Sequence, residues 1–106
     1  MKIVAVTACV TGVAHTYMAA TALVKAAKAA GFDLKVETQG SLGVENELTA
    51  EEIAAADVVI LAVDTCIQNS DRFDGKVIFE APVAAAIKDS GKLIADALKS
   101  AGINES

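Results

Sequence analysis

Eight consecutive residues, Cys9-Val10-Thr11-Gly12-Val13-Ala14-His15-Thr16, bring together a thiol, two hydroxyls, a glycine and an imidazole. A thiol attacks only as thiolate, so its pKa must fall from about 8.5 before it is useful. Backbone N–H groups of residues 10–16 are expected to do this, curling round the sulfur and then round the three oxygens of a phosphoryl group. Gly12 permits the left-handed or closely approaching backbone that such a cradle needs. Thr11 and Thr16 can donate hydroxyl hydrogen bonds to phosphate or thiolate, and His15 can donate to phosphate or act as acid or base. The chemistry this predicts is a phosphoryl group carried on sulfur. Taken singly the residues say less: a lone cysteine after a strand is most often a small buried hydrophobe, Gly12 a turn and His15 a helix-cap residue. Their coincidence in one strand–loop–helix unit carries the reading.

The flanking pattern supplies that unit. Ile3–Ala8 is a continuous apolar, β-branched run, as in a strand buried on both faces. Thr16 to Ala30 reads as a helix with Tyr17, Thr21, Lys25 and Lys28 along its polar stripe. Ala19, Leu23, Ala26 and Ala27 lie opposite, and Gly31 ends it. Asp33–Gln39 alternates, with Leu34, Val36 and Thr38 on one face and Lys35, Glu37 and Gln39 on the other, which predicts a half-exposed edge strand. Gly40-Ser41-Leu42-Gly43 reads as a flexible turn. Thr49-Ala50-Glu51-Glu52 is a capping box opening a short helix, its acids suiting the positive end. Asp57–Val63 is a second wholly apolar strand, and Asp64 to Asp74 is polar loop or helical turn. Lys76–Glu80 is a fourth strand, Pro82 starts a helix, and Gly91 is expected to break the last helical region in two.

Strands separated by helices imply βαβ units and a parallel sheet. The expected fold is therefore α/β, a three-layer Rossmann-like arrangement with four parallel strands in the order 2-1-3-4 and helices on both faces. Right-handed crossovers put the first helix on one face and the second on the other. The crevice at the carboxyl ends of strands one and three is the default ligand site. Cys9 falls there, and so, less closely, do Asp64, Thr65 and Cys66. Residues 1–103 form a single domain in this reading, with 104–106 a frayed tail.

At 106 residues the chain can bury a real core without disulfides or metal, with a net stability of about 5–10 kcal/mol. A net charge of −5 and a single arginine, Arg72, argue against nucleic acid as a partner. Residues 3–24 carry no formal charge, but Thr7, Cys9, Thr11, Gly12, His15, Thr16 and Thr21 are too many polar groups for a lipid-facing helix. Val6-Thr7-Ala8-Cys9 looks like a lipoprotein cleavage box, yet the apolar stretch before it is too short for a signal peptide. The expectation is a cytoplasmic protein without direct membrane insertion. Cys9 and Cys66 make no disulfide framework, and one histidine makes no metal cluster, so neither metal nor cofactor is expected. Cys66, Asp64 and the Glu51–Glu52 pair read as structural groups.

Small tyrosine phosphatases and arsenate reductases use Cys-x5-Arg, where the arginine clamps phosphate and stabilises its transfer to water. Here the frame is Cys9-x5-His15. Such a site should hold a phosphoryl group but hydrolyse it poorly, which suits a carrier. A hydrolase and a non-transporting regulatory module stay open as alternatives.

Residues 4–20, from Val4 through Cys9 to Ala20, closely resemble the start of the fructose-type IIB components of the bacterial phosphoenolpyruvate:sugar phosphotransferase system. Val36–Thr49, Ala56–Ala62 and Arg72-Phe73 are similar to later signatures of that family. The resemblance implies that Cys9 takes a phosphoryl group from a phosphohistidine of a IIA component. Cys9 then passes it to a sugar, fructose or a related one, bound by a membrane IIC component. It also implies that Val10, Thr11, Gly12, Val13, Ala14, His15 and Thr16 cradle the phosphate. The family's loop usually reads Cys-Pro-Thr-Gly; Val10 in place of proline frees φ and adds an N–H. The rim of the Cys9 loop, Tyr17 and the Gly40–Glu45 turn are expected on the docking face.

Overall fold

A computed structural model of the chain describes residues 2–8, 13–40, 43–64, 67, 70–100 and 102. Strand β1 (Lys2–Ala8) leads to helix α1 (Val13–Ala29), then to β2 (Asp33–Gly40), the short β3 (Gly43–Glu45) and α2 (Ala50–Ala55). Strand β4 (Val58–Val63), a 3-10 turn at Ser70–Phe73, β5 (Ile78–Ala81), α3 (Val83–Lys88) and α4 (Ser90–Ser100) follow. The sheet order is β3-β2-β1-β4-β5. β1 runs parallel to β2 and β4, and β4 runs parallel to β5.

The four expected strands thus occur in the expected order, but the sheet is mixed and has a fifth member. β3 pairs antiparallel with β2 through Thr38–Glu45, Gln39–Val44 and Gly40–Gly43. Three residues are too few to show an alternating pattern, and strand geometry here comes from pairing along the rim of β2 rather than from propensity. Gly40 and Gly43 of the expected turn are accordingly strand residues, and Ser41 and Leu42 lie outside the described residues.

The second correction follows from the first. β2 is not an edge strand, and Val36, Glu37, Thr38 and Gln39 are all buried. Alternation placed Glu37 and Gln39 on a solvated face; that face is covered by the return of the chain through Leu48 and by the 3-10 turn.

The apolar side chains of β1 and β4 point alternately to two cores, as a strand's period of two requires. Ile3, Ala5, Val58 and Ile60 pack with α1, α3 and α4 on one face. Val4, Val6, Val59 and Leu61 pack with Leu48, Ile53 of α2 and Phe73 of the 3-10 turn on the other. α1 and α2 therefore flank the sheet on opposite sides, the three-layer arrangement expected from right-handed crossovers. On α1 the buried stripe is Ala19, Leu23 and Ala27. Methyl side chains let this helix approach the sheet closely.

Local stop signals act largely where the sequence puts them. Gly31 has φ +83° just beyond α1, a conformation glycine adopts without a Cβ penalty. The capping box is formed: Thr49 Oγ1 accepts from Glu52 N–H at 3.1 Å and Glu52 Oε1 accepts from Thr49 N–H at 2.9 Å. The break between the last two helices lies at Asp89 (φ −136°, ψ 51°) rather than at Gly91, which is inside α4. Pro82 is the N-cap of α3, one residue before the helix proper.

Candidate functional site

Cys9, Val10, Thr11 and Gly12 lie outside the described residues, so the site is built from what flanks them. Ala8, the last residue of the central strand β1, pairs with Gln39 of β2 on one side and Val63 of β4 on the other. α1 begins at Val13, three residues before the helix start read from periodicity. The tethers of the Cys9 loop are thus the carboxyl end of the central strand and the N-terminus of a 17-residue helix. A helix of that length presents unsatisfied N–H groups and a positive end, which favour an anion and a thiolate.

One of the predicted cradle residues shows how the first turn is held. Thr16 is buried, and its carbonyl accepts a hydrogen bond from Thr7 Oγ1 of β1 at 3.1 Å. Its own Oγ1 is buried with no hydrogen-bond partner among the described residues. A buried hydroxyl without a partner costs free energy unless something supplies one. His15 and Ala14 are exposed in the same turn.

His15 lines a groove of about 390 Å³ together with Met18, Asp64, Val83, Ile87 and Lys88. Asp64 reaches this groove because it follows β4 directly, its N–H donating to Ala8 carbonyl at 3.0 Å. Its Oδ1 accepts from Val83 N–H at 3.2 Å, so this carboxylate secures the start of α3. Thr65 and Cys66 lie outside the described residues.

Across α1, the phenol of Tyr17 donates to Glu45 Oε2 of β3. That bond, burial and the nearby carboxylate charge all push the Tyr17 pKa up. The structure therefore brings together Tyr17 and the end of the Gly40–Glu45 segment, two of the three parts expected on a docking face; the rim of the Cys9 loop, at residues 9–12, lies outside the described residues.

One pair escaped the sequence reading. Glu37, fully buried, accepts from Arg72 Nη1 at 2.8 Å on Oε1 and from Arg72 Nη2 at 2.5 Å on Oε2. Leu48 N–H completes Oε1 at 3.0 Å and Gln39 Nε2 completes Oε2 at 2.7 Å. The guanidinium lies over the Phe73 ring, 4.7 Å from its centroid. Burial pushes the Glu37 carboxyl pKa up, but the hydrogen bonds from Arg72, Gln39 and Leu48 and the guanidinium charge outweigh it and hold the carboxyl below its ordinary value. A usable signal was present: one arginine stands among nine Lys and Arg side chains. Arginine is the residue whose planar fork suits a buried bidentate carboxylate.

The comparisons with known proteins agree with this architecture. Residues 4–96 match the family described as "PTS system, Lactose/Cellobiose specific IIB subunit". The chain is 61% identical over 87 residues to the PTS system fructose-like EIIB component 2 of Escherichia coli K12, covering 82% of each protein. It is 49% identical over 98 residues to the PTS system fructose-specific EIIB'BC component of Rhodobacter capsulatus, covering 92% of this chain and 17% of that one. Among solved structures, it is similar to a domain of the fructose-specific IIABC component (PTS system) of Borrelia burgdorferi. The TM-score is 0.87 at 48% identity, covering 99% of this chain and 97% of that one. The family description mentions lactose and cellobiose, whereas the near relatives are named for fructose. On that evidence the chain belongs to the IIB components of the sugar phosphotransferase system, and within them to the fructose type.

Proposed function

We propose that this chain is the phosphocarrier of a sugar phosphotransferase system, with Cys9 as the residue that carries the phosphoryl group. The Cys9 thiolate attacks the phosphorus of a phosphohistidine on a IIA component; the S–P bond forms as the N–P bond breaks and the imidazole leaves. A hydroxyl of the sugar held by the IIC component then attacks the same phosphorus. The S–P bond breaks, the thiolate returns and the hydroxyl proton passes to a base. Such transfers are mainly positioning and electrostatics, within reach of a small domain with one nucleophile and an amide nest.

The observation that carries the reading is the placement of the loop's two tethers, the carboxyl end of β1 and the N-terminus of α1. This is the switch point of the sheet, where β2 and β4 leave β1 in opposite directions. The unpartnered, buried Thr16 hydroxyl at this helix end supports it, because an incoming phosphoryl oxygen or the thiolate would supply the missing partner. So does the commitment of Arg72: both terminal nitrogens of the chain's single guanidinium bind Glu37, which leaves a phosphatase-type arginine clamp without its arginine. Among the described residues no helix is long and apolar enough to cross a membrane. The relatives named EIIB'BC and EIIBC components support IIC as the acceptor side. The reading puts the protein in the cytoplasm, held at the inner face of the membrane through IIC, and fructose or a related sugar is the expected cargo.

The test is incubation with phosphoenolpyruvate, the two general carrier proteins and a IIA component, followed by intact mass measurement. A phosphoryl adduct that disappears in Cys9→Ser is expected. No adduct with any IIA pairing refutes the reading, and steady phosphate release from a small aryl phosphate would favour the hydrolase.

A further inference from the structure

We propose that Glu37 and Arg72 are positioning residues for the chemistry at Cys9, an inference that rests on the phosphocarrier reading above. Their ion pair pins the 3-10 turn at Ser70–Phe73 to the carboxyl half of β2, across the face of β1 that leads into the Cys9 loop.

The register gives the placement. Glu37 is paired with Val6 of β1, and Gln39, which donates to it, is paired with Ala8, the residue before Cys9. Arg72 reaches Glu37 from the turn whose Phe73 packs with Val6 in the second core. The described residues on either side of the connection from β4 to this turn are each held. At one end Asp64 N–H donates to Ala8 carbonyl, and at the other Arg72 holds Glu37. Leu48 N–H on the same carboxylate adds the return from β3 to the network. Two separate segments, the 3-10 turn through Arg72 and the return through Leu48, therefore converge on one buried carboxylate of β2, two residues short of the end of the central strand.

Stability alone is a poor reason for this arrangement. A buried ion pair roughly breaks even against well-packed apolar side chains, and the residues shown beside it, Val6 and Phe73, belong to an apolar core. Arg72 Nε is buried without a hydrogen-bond partner among the described residues, a cost that an apolar residue would not incur. What a bidentate pair supplies beyond an apolar contact is direction. Two parallel N–H···O bonds fix distance and angle together, and phosphoryl transfer depends on fixing a nucleophile and its surroundings to within fractions of an ångström.

The experiment compares the full chain with Arg72→Lys and with the neutral double variant Glu37→Gln/Arg72→Met. Three readouts are taken: thermal midpoint, kcat and KM for transfer from a phosphorylated IIA, and the rate of Cys9 labelling by iodoacetamide read peptide by peptide. The double variant is expected to melt within a few degrees of wild type. Its kcat should nevertheless fall roughly 10- to 100-fold, with KM for the donor held near the wild-type value. Cys9 labelling should change as well, and Arg72→Lys should recover part of the rate. A folded double variant with wild-type kcat and labelling overturns the proposal, and so does a loss confined to KM. If the double variant does not fold, Arg72→Lys decides: wild-type kcat and labelling overturn the proposal, and a slowed, folded variant supports it. Should wild type take no phosphoryl group from any IIA, the phosphocarrier reading fails by itself. The labelling arm then judges this inference alone, with unchanged labelling in a folded variant refuting it.

Discussion

Replacing Arg72 alone by methionine should be the most damaging single polar substitution among the described residues, and its cost should depend on pH in a definite direction. Glu37 has no exposed surface, and its four acceptor positions are filled, two of them by Arg72. Arg72→Met removes two charge-assisted bonds, worth about 1.5–3 kcal/mol each, and leaves Leu48 N–H and Gln39 to hold a buried anion. Breaking a buried pair on one side costs about 3–5 kcal/mol. The variant has one escape, which is to protonate Glu37. From an ordinary value of 4.5, holding that proton at pH 7 costs about 3.4 kcal/mol, so the two routes agree in size. The signs then separate the proteins. In wild type the folded pKa is lowered, so the contribution of Glu37 is complete above pH 4.5 and is lost only as pH falls through the lower folded value. In the variant the buried, unpaired carboxyl has a raised pKa, and the penalty shrinks by about 1.4 kcal/mol per unit as pH falls from 7 towards 5. Urea unfolding of both proteins at pH 5, 6, 7 and 8 is the assay. For a chain of 106 residues the gap at pH 7 corresponds to a Tm lower by roughly 15–20 °C. A gap under about 1 kcal/mol at pH 7, or one that stays constant from pH 5 to 8, would show that the pair is not what compensates Glu37.

Thr16→Val should cost no stability in a thermal melt, because the hydroxyl it deletes is buried and unpartnered, yet it should slow phosphoryl transfer to Cys9; unfolding or an unchanged rate would count against the role given to Thr16. Phe73→Ala should destabilise by about 3–5 kcal/mol in urea titration, since the ring is fully buried between β1, β4 and α2 and also carries Arg72. Thr49→Ala should cost about 1 kcal/mol by the same measurement, through loss of the cap on Glu52 N–H. Glu52 is held at a pKa of about 2, first by the hydrogen bond from Lys35, then by Thr49 N–H. Its contribution should be complete above pH 4.5 and fade as pH falls towards 2. A Glu52→Gln variant should accordingly differ from wild type at pH 6 and converge with it only as pH falls to about 2, which pH-dependent melting will check.

Much of this protein is written locally and could be read without coordinates. The apolar runs that become β1 and β4, the methyl-rich stripe of α1, Gly31 beyond its end and the Thr49–Glu52 capping box depend on residues a few positions apart. Short-range sterics and hydrogen bonding decide such features before any tertiary contact exists. The same holds for the chain position of Cys9 between a central strand and a helix start, on which its proposed role as nucleophile rests. Tertiary structure decided what depends on partners far apart in the chain. β3 is a strand only because the rim of β2 pairs with it. Glu37 alternates like a solvated residue, yet it is buried because Leu48 and Arg72, the latter 35 positions away, close over it. A carboxylate's place along a strand says which face it takes, but not whether a guanidinium will meet it there.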